Sequence, residues 1–265
     1  VTDVTEAADT ADRAGATALV VQHTERGGPG RWREWLAEGG LACEVVRGYA
    51  GEELPSALRP RYAALVVLGG GYLPDDDARA PWLARTRALA KEALGSGVPV
   101  FGICLGGQLL AQVAGGRVRA DAGRPEFGST EVALRQEAAG DPLFAGLPAR
   151  PRAIENHVDA ITELPPGAVW LASSADCPYQ AFRVGEAAWG VQFHPEADAG
   201  RIGGWDAARL ARYGADRAAL ERAALAHEAE SAAVWREVAL RFARHASGRA
   251  GAAAPAAPAG TDTPD

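Results

Sequence analysis

The chain has no methionine and only three cysteines in 265 residues. Cys43, Cys104 and Cys177 form no CxxC pair and no disulfide framework, so a staple-dependent secreted fold is excluded. The five histidines are scattered without metal-ligand spacing, so neither a metal nor a cofactor is expected. No apolar run approaches the ~18 residues that span a bilayer. The acidic opening, VTDVTEAADTADRAG, is the reverse of a secretion signal. A cytoplasmic protein without a membrane partner is expected. Positive charge is in short supply as well. The formal net charge of −7 lacks the basic face that nucleic acid requires, so no nucleic-acid partner is expected. The chain begins at Val1, which fits initiation at a valine codon with the initiator residue lost.

What remains is a chain 48% hydrophobic, long enough for one large domain. Residues 1–15 and the Ala/Pro/Gly-rich tail 247–265 have the composition of disordered extensions, leaving a domain over 16–246. Strand-like runs at 16–22, 43–48, 63–71 and 98–104 alternate with helix-like runs at 30–40, 80–97 and 105–116. That order predicts an α/β fold, a mostly parallel doubly wound, flavodoxin-like sheet with helices on both faces. Shorter strands at 129–135, 168–174, 179–185 and 187–193 predict a small antiparallel extension. A final helical region over 216–246 places Leu220, Leu225, Trp235, Leu240 and Phe242 at helical spacing.

The chemistry concentrates where the fourth strand meets a helix, in VPVFGICLGGQLLAQVAGG (98–116). Gly102-Ile103-Cys104-Leu105-Gly106 has the form of a nucleophile elbow with cysteine in the central place. Flanking glycines let crowded elements approach, and the helix N-terminus favours thiolate over thiol. On this stretch alone two readings stand, a nucleophile or a small buried thiol in an ordinary βα turn. VQFHPEAD (191–198) offers His194 as a base and Glu196 as its orienting carboxylate, with Pro195 stiffening the turn between them. The plainer reading is a strand cap and a solvated charge. LGGGYLPDDD (68–77) offers backbone N–H groups at a strand's carboxyl end, either as oxyanion donors or as a plain loop. His23 and Trp32 read as structural, Cys43 and Cys177 as ordinary thiols, and His227 and His245 as solvated.

Taken together, the GGG turn, Gly102-Ile-Cys104-Leu-Gly106-Gly-Gln108 and Phe193-His194-Pro195-Glu196 resemble the triad-type class I glutamine amidotransferases. The likeness covers roughly residues 16 to 198 and is nearest to the glutaminase part of GMP synthase and its free-standing relatives. PEFG (125–128) and IENHVDAI (154–161) fall where that group has related segments. The resemblance implies that Cys104 attacks the side-chain amide of L-glutamine to give a γ-glutamyl thioester and ammonia. His194 would shuttle the proton and Glu196 would orient it. The N–H groups of Gly70 and Leu105 would form the oxyanion hole, and Gln108, Asn156 and His157 would bind substrate. Two departures stand out. Gly71 replaces a proline common in relatives, and Glu155 sits where some relatives carry a small or neutral residue. No phosphate-binding loop or synthetase domain is present in the sequence, so an ammonia-accepting synthetase partner is expected, with the C-terminal helical region as its docking element. The alternative is a stand-alone cysteine hydrolase of another γ-glutamyl amide, and a third reading is a catalytically silent subunit.

Overall fold

The first strand is buried at each of its last five positions. The computed structural model describes residues 15–252, so the N-terminal segment up to residue 14 and the tail beyond residue 252 lie outside the described residues. Strand β1 (Ala16–Gln22) is followed by α1 (Trp32–Glu38), β2 (Leu41–Arg47), β3 (Ala64–Val67), α2 (Trp82–Ser96), β4 (Val100–Ile103) and α3 (Leu105–Val113). Successive β1 residues point to opposite faces. Ala18 and Val20 enter the core with Trp32, Phe101 and Phe242, whereas Leu19 and Val21 enter the one with Leu83, Leu105 and Leu109. Only a strand covered on both faces needs apolar residues at every position, and that is the sequence signature of a parallel sheet.

The second half adds β5 (Arg117–Arg119), β6 (Glu126–Glu131), β7 (Ala133–Leu134), β8 (Arg152–His157) and β9 (Ala160–Glu163). Strands β10 (Val169–Ser173), β11 (Ala181–Val184) and β12 (Ala188–Val191) follow, then helices α4 (Ala207–Arg212), α5 (Arg217–Leu225) and α6 (Glu228–Ala252). The main sheet has eight strands in the order β2-β1-β3-β4-β12-β11-β10-β7. It is parallel from β2 through β12 and antiparallel beyond. Two small antiparallel ribbons, β5–β9 and β6–β8, stand beside it. The expected doubly wound sheet with an antiparallel extension is present.

The local details depart from the sequence reading. The single strand read over 129–135 breaks at Val132, because β6 pairs with β8 while β7 crosses to β10. Strand β8 escaped notice because its inward positions Glu155 and His157 are polar, which erases the apolar alternation. The final helical region is two helices, with Asp216 capping α5 through the Ala219 N–H. Leu225, expected in the core, is 56% exposed.

Helix α6 continues to Ala252, into the segment read as tail, where Ser247 Oγ donates to the Gly40 carbonyl. Its apolar face is taken up by the core. Trp235, Val238, Ala239, Phe242, Ala243 and Ala246 are all buried against the sheet and α1. Each large side chain so buried contributes roughly 1.5–3 kcal/mol of apolar transfer energy, so this face closes the core and is not free for a partner. His245 follows it inward, its ring edge-on to Trp189 at 5.2 Å.

Candidate active site

The carboxyl ends of β1, β3, β4 and β12 meet at one edge of the sheet, where ligands bind in open α/β folds. Cys104 sits between β4 and α3 with φ 51° and ψ −108°, a left-handed backbone at a non-glycine residue. Such strain persists only where the surroundings enforce it, and here they do. The Cys104 N–H donates to the Val191 carbonyl at 2.8 Å, tying the elbow to β12. A Cβ on Gly102 would lie 2.4 Å from the Gly106 carbonyl oxygen, and one on Gly106 would lie 2.0 Å from the Val67 carbonyl oxygen. Both glycines are therefore required by close backbone approach. Leu105 is the first residue of α3, where an N–H has no partner within the helix.

His194 is held by main chain and side chain together. Its N–H donates to the Ile154 carbonyl at 2.8 Å, bridging the segment after β12 to β8. Its Nδ1 lies 2.8 Å from Glu196 Oε1. Because a carboxylate accepts, Nδ1 carries the proton and Nε2 is left for other chemistry. Arg201 donates to the same Glu196 oxygen at 3.0 Å and to the Gly28 carbonyl at 2.9 Å. Burial alone would push the Glu196 carboxyl up, but His194 and Arg201 outweigh it and hold its pKa below the ordinary value. Burial likewise pulls the His194 imidazole down, and the charges of Glu196 and Cys104 reverse this, leaving its pKa well above the usual histidine value. The three side chains form one electrostatic unit.

Cys104, His194 and Glu196 open onto a cavity of about 310 Å³. Its lining includes Gly69, Gly70 and Gly71 of the glycine turn, Asn156, and Arg26, Arg201 and Arg209. Gly69 has room for no side chain, since a Cβ there would meet His194 Cε1 at 2.7 Å. Gly70 and Asn156 both line the cavity, and Asn156 spends its Oδ1 on Arg209 at 2.7 Å.

Gln108 and His157 do not line the cavity, in contrast to the expected substrate contacts. Gln108 is buried on α3 and donates to the Asp159 carbonyl at 3.0 Å and to Gln192 Oε1 at 3.1 Å. Gln192 in turn donates through Nε2 to the Cys104 sulfur at 3.7 Å. Gln108 therefore supports the thiol through an intermediate amide. His157 is on the opposite face of β8 from Asn156, as adjacent strand residues must be.

Sequence reasoning missed Gln192 and Arg201. Gln192 lies inside the quoted VQFHPEAD segment, but an amide beside a histidine carries no signal until the fold brings it against Cys104. Arg201 lies five residues beyond Glu196, and only the turn of the chain over 199–204 returns it. Of the residues read as structural, His23 is fully buried and accepts a hydrogen bond from Trp82 Nε1 at 2.9 Å. Burial pushes the Cys43 thiol up to about 11, against a smaller opposing pull from Arg33.

A strained cysteine beside a histidine–carboxylate pair, at the carboxyl edge of a doubly wound sheet, brings a candidate nucleophile, base and orienting group together in an α/β domain. Residues 33–204 match the family description glutamine amidotransferase class-I, and the chain belongs to that family. It is 43% identical over 145 residues to GMP synthase [glutamine-hydrolyzing] of Thermomicrobium roseum, a match covering 53% of this chain and 25% of that protein. The chain spans a quarter or less of the length of the curated relatives it matches. Among solved structures, a glutamine amidotransferase from Thermotoga maritima superposes with a TM-score of 0.76 at 27% identity, covering 86% of this chain and 98% of that one. A glutamine amidotransferase from Methylobacillus flagellatus gives 0.75 at 27% identity, covering 86% and 94%. Among the described residues no helix is long and apolar enough to cross a membrane.

Proposed function

We propose that the protein hydrolyses the side-chain amide of L-glutamine through Cys104, His194 and Glu196 and delivers the ammonia to a separate synthetase. The observation that carries this reading is the strained Cys104 backbone at the mouth of the cavity that holds the His194–Glu196 pair.

His194 takes the thiol proton, and the Cys104 sulfur attacks the amide carbon of glutamine. The carbonyl π pair moves to oxygen, where the N–H groups of Leu105 and Gly70 stabilise the charge. His194 returns the proton to the amide nitrogen. The C–N bond breaks, ammonia leaves, and a γ-glutamyl thioester remains on Cys104. His194 then deprotonates a water, whose oxygen attacks the thioester. The thiolate leaves, glutamate departs, and Cys104 is restored. Glu196 fixes the productive tautomer and stabilises the imidazolium, and Arg201 keeps Glu196 charged and in place. Gln192 stabilises the thiolate. A cavity of about 310 Å³ suits a free amino acid at the small end of ligand pockets.

Glutamine hydrolysis by the full chain, read as glutamate formed, tests the reading. Cys104→Ala abolishes turnover and prevents labelling by a glutamine-like electrophile. Wild-type turnover in that variant refutes it. Arg26 and Arg209 on the cavity wall favour a second reading, a γ-glutamyl amide carrying an additional anionic group. Faster turnover of such a conjugate than of glutamine, with no response to a synthetase, would select that alternative.

A further inference from the structure

Behind the wall that carries Asn156, β8 turns its other face into a buried cluster of polar side chains. The alternation of the strand sends Ile154 and Asn156 to the catalytic cavity and Glu155 and His157 away from it. Glu126 on β6 stands directly across from His157 in the ladder. Cys177, in the connection between β10 and β11, closes the third side. One ligand atom each from Glu126, His157 and Cys177 lie within 4.8 Å of one another. All three residues are at least nine-tenths buried.

The hydrogen bonds orient this group as a ligand set. His157 Nδ1 lies 3.1 Å from the Asp159 carbonyl. A carbonyl only accepts, so Nδ1 donates to it, and Nε2 is turned to the carboxylates of Glu126 and Glu155. Nε2 faces Glu126 Oε2 at 3.1 Å and Glu155 Oε2 at 3.6 Å. Ser174 Oγ and Gln180 Nε2 donate to Glu126 Oε2 at 2.9 and 2.7 Å, the outer contacts that hold a ligating carboxylate.

An independent observation points the same way. Glu155 is completely buried, and neither of its carboxylate oxygens has a partner within hydrogen-bond distance, His157 Nε2 standing at 3.6 Å and Gln180 beside it. A buried, unpartnered carboxylate beside a second carboxylate calls for a proton or a cation.

We propose that Glu126, Glu155, His157 and Cys177 bind one divalent transition cation of the zinc class. The mixed nitrogen, oxygen and sulfur donors suit such an ion and not magnesium or calcium, which take oxygen ligands. Four protein ligands leave no open position, so the site is structural. It fastens β6, β8 and the β10–β11 connection together behind the Ile154 carbonyl on which His194 rests.

Because all four side chains are buried, the full chain is stripped with a chelator under unfolding conditions and refolded with Zn2+ or Co2+. Retention of one equivalent after desalting is expected, with Tm raised by about 5–10 °C. The Co2+ form shows a thiolate charge-transfer band and tetrahedral visible absorption. Cys104, His194 and Glu196 are another thiol–imidazole–carboxylate set, so the band is compared in two variants. It persists in Cys104→Ala and vanishes in Cys177→Ser. Glu155→Gln, which removes charge at constant volume, weakens Co2+ binding at least tenfold. That variant and Cys104→Ala decide the matter if Cys177→Ser fails to fold. Refolding to a metal-free protein overturns the proposal, leaving Glu155 as a protonated carboxyl. So does a band lost with Cys104, or unaltered affinity in Glu155→Gln.

Discussion

Replacing Glu196 with Gln isolates the charge of the carboxylate from its geometry. The glutamine oxygen can still accept from His194 Nδ1 and from Arg201, the two donors that converge on Glu196 Oε1 at 2.8 and 3.0 Å. What disappears is the negative charge, in a position only 2% exposed. With charge centres about 4 Å apart and an effective dielectric of ~20, the pair is worth about 4 kcal/mol. Arg201 already offsets part of that field, so the expected loss is about 2.7–4 kcal/mol, a 10²–10³-fold fall in kcat. KM for glutamine changes little, because the carboxylate acts through His194. The pH dependence gives a second readout. Glu196 is a principal source of the raised His194 pKa, so the alkaline limb of kcat moves to lower pH in the variant. The stability signs follow from the same shifts. The His194 contribution is full below about pH 6.5 and is lost as pH rises through its raised folded value. The Glu196 contribution is full above about pH 4.3 and is lost as pH falls through its lowered folded value. Steady-state glutaminase assays from pH 5 to about 10 check the expectation. A kcat within threefold of wild type, with an unmoved alkaline limb, refutes the assignment of Glu196 as the charge behind His194.

Gly106→Ala places a methyl 2.0 Å from the Val67 carbonyl oxygen, and main chain cannot yield as a side-chain tip can. Overpacking of this kind costs about 1–3 kcal/mol or more, above the ~1 kcal/mol gained in helix propensity. A urea midpoint equal to or above wild type would show that the elbow is looser than its geometry implies. Burial lowers the His23 pKa to about 4, so its contribution to stability is full above pH 6.5 and lost as pH falls toward 4. Between pH 7 and pH 4.5, wild type is expected to lose about 2 kcal/mol more than His23→Gln, which keeps an acceptor for Trp82. Equal losses in urea titrations would place a charged His23 in the folded state.

The parts of this protein legible in the sequence are those fixed by local physics. Every position of ATALVVQ from Ala18 is buried, because a parallel strand is covered on both faces, and a run without alternation says so. Gly102, Cys104 and Gly106 lie within five residues of one strand-to-helix corner, so their pattern is legible, although Gly106 is required by β3 and Cys104 is tied to β12. His194 and Glu196 are two residues apart, so their pairing needs only a stiff turn. The tertiary structure alone decided which groups across the chain meet. Asn156 and His157 are adjacent in sequence yet face a cavity and a buried polar cluster, because side chains alternate along a strand and the sheet's position decides what lies on each side. Gln108 points to Gln192 and not to the cavity, and Arg201 closes on Glu196 only through the turn after β12. Glu126, Glu155, His157 and Cys177 show no ligand spacing because they come from two strands and a loop. Spacing rules describe ligands on one local element. A site assembled by sheet pairing becomes visible only when the ladder brings its residues into register.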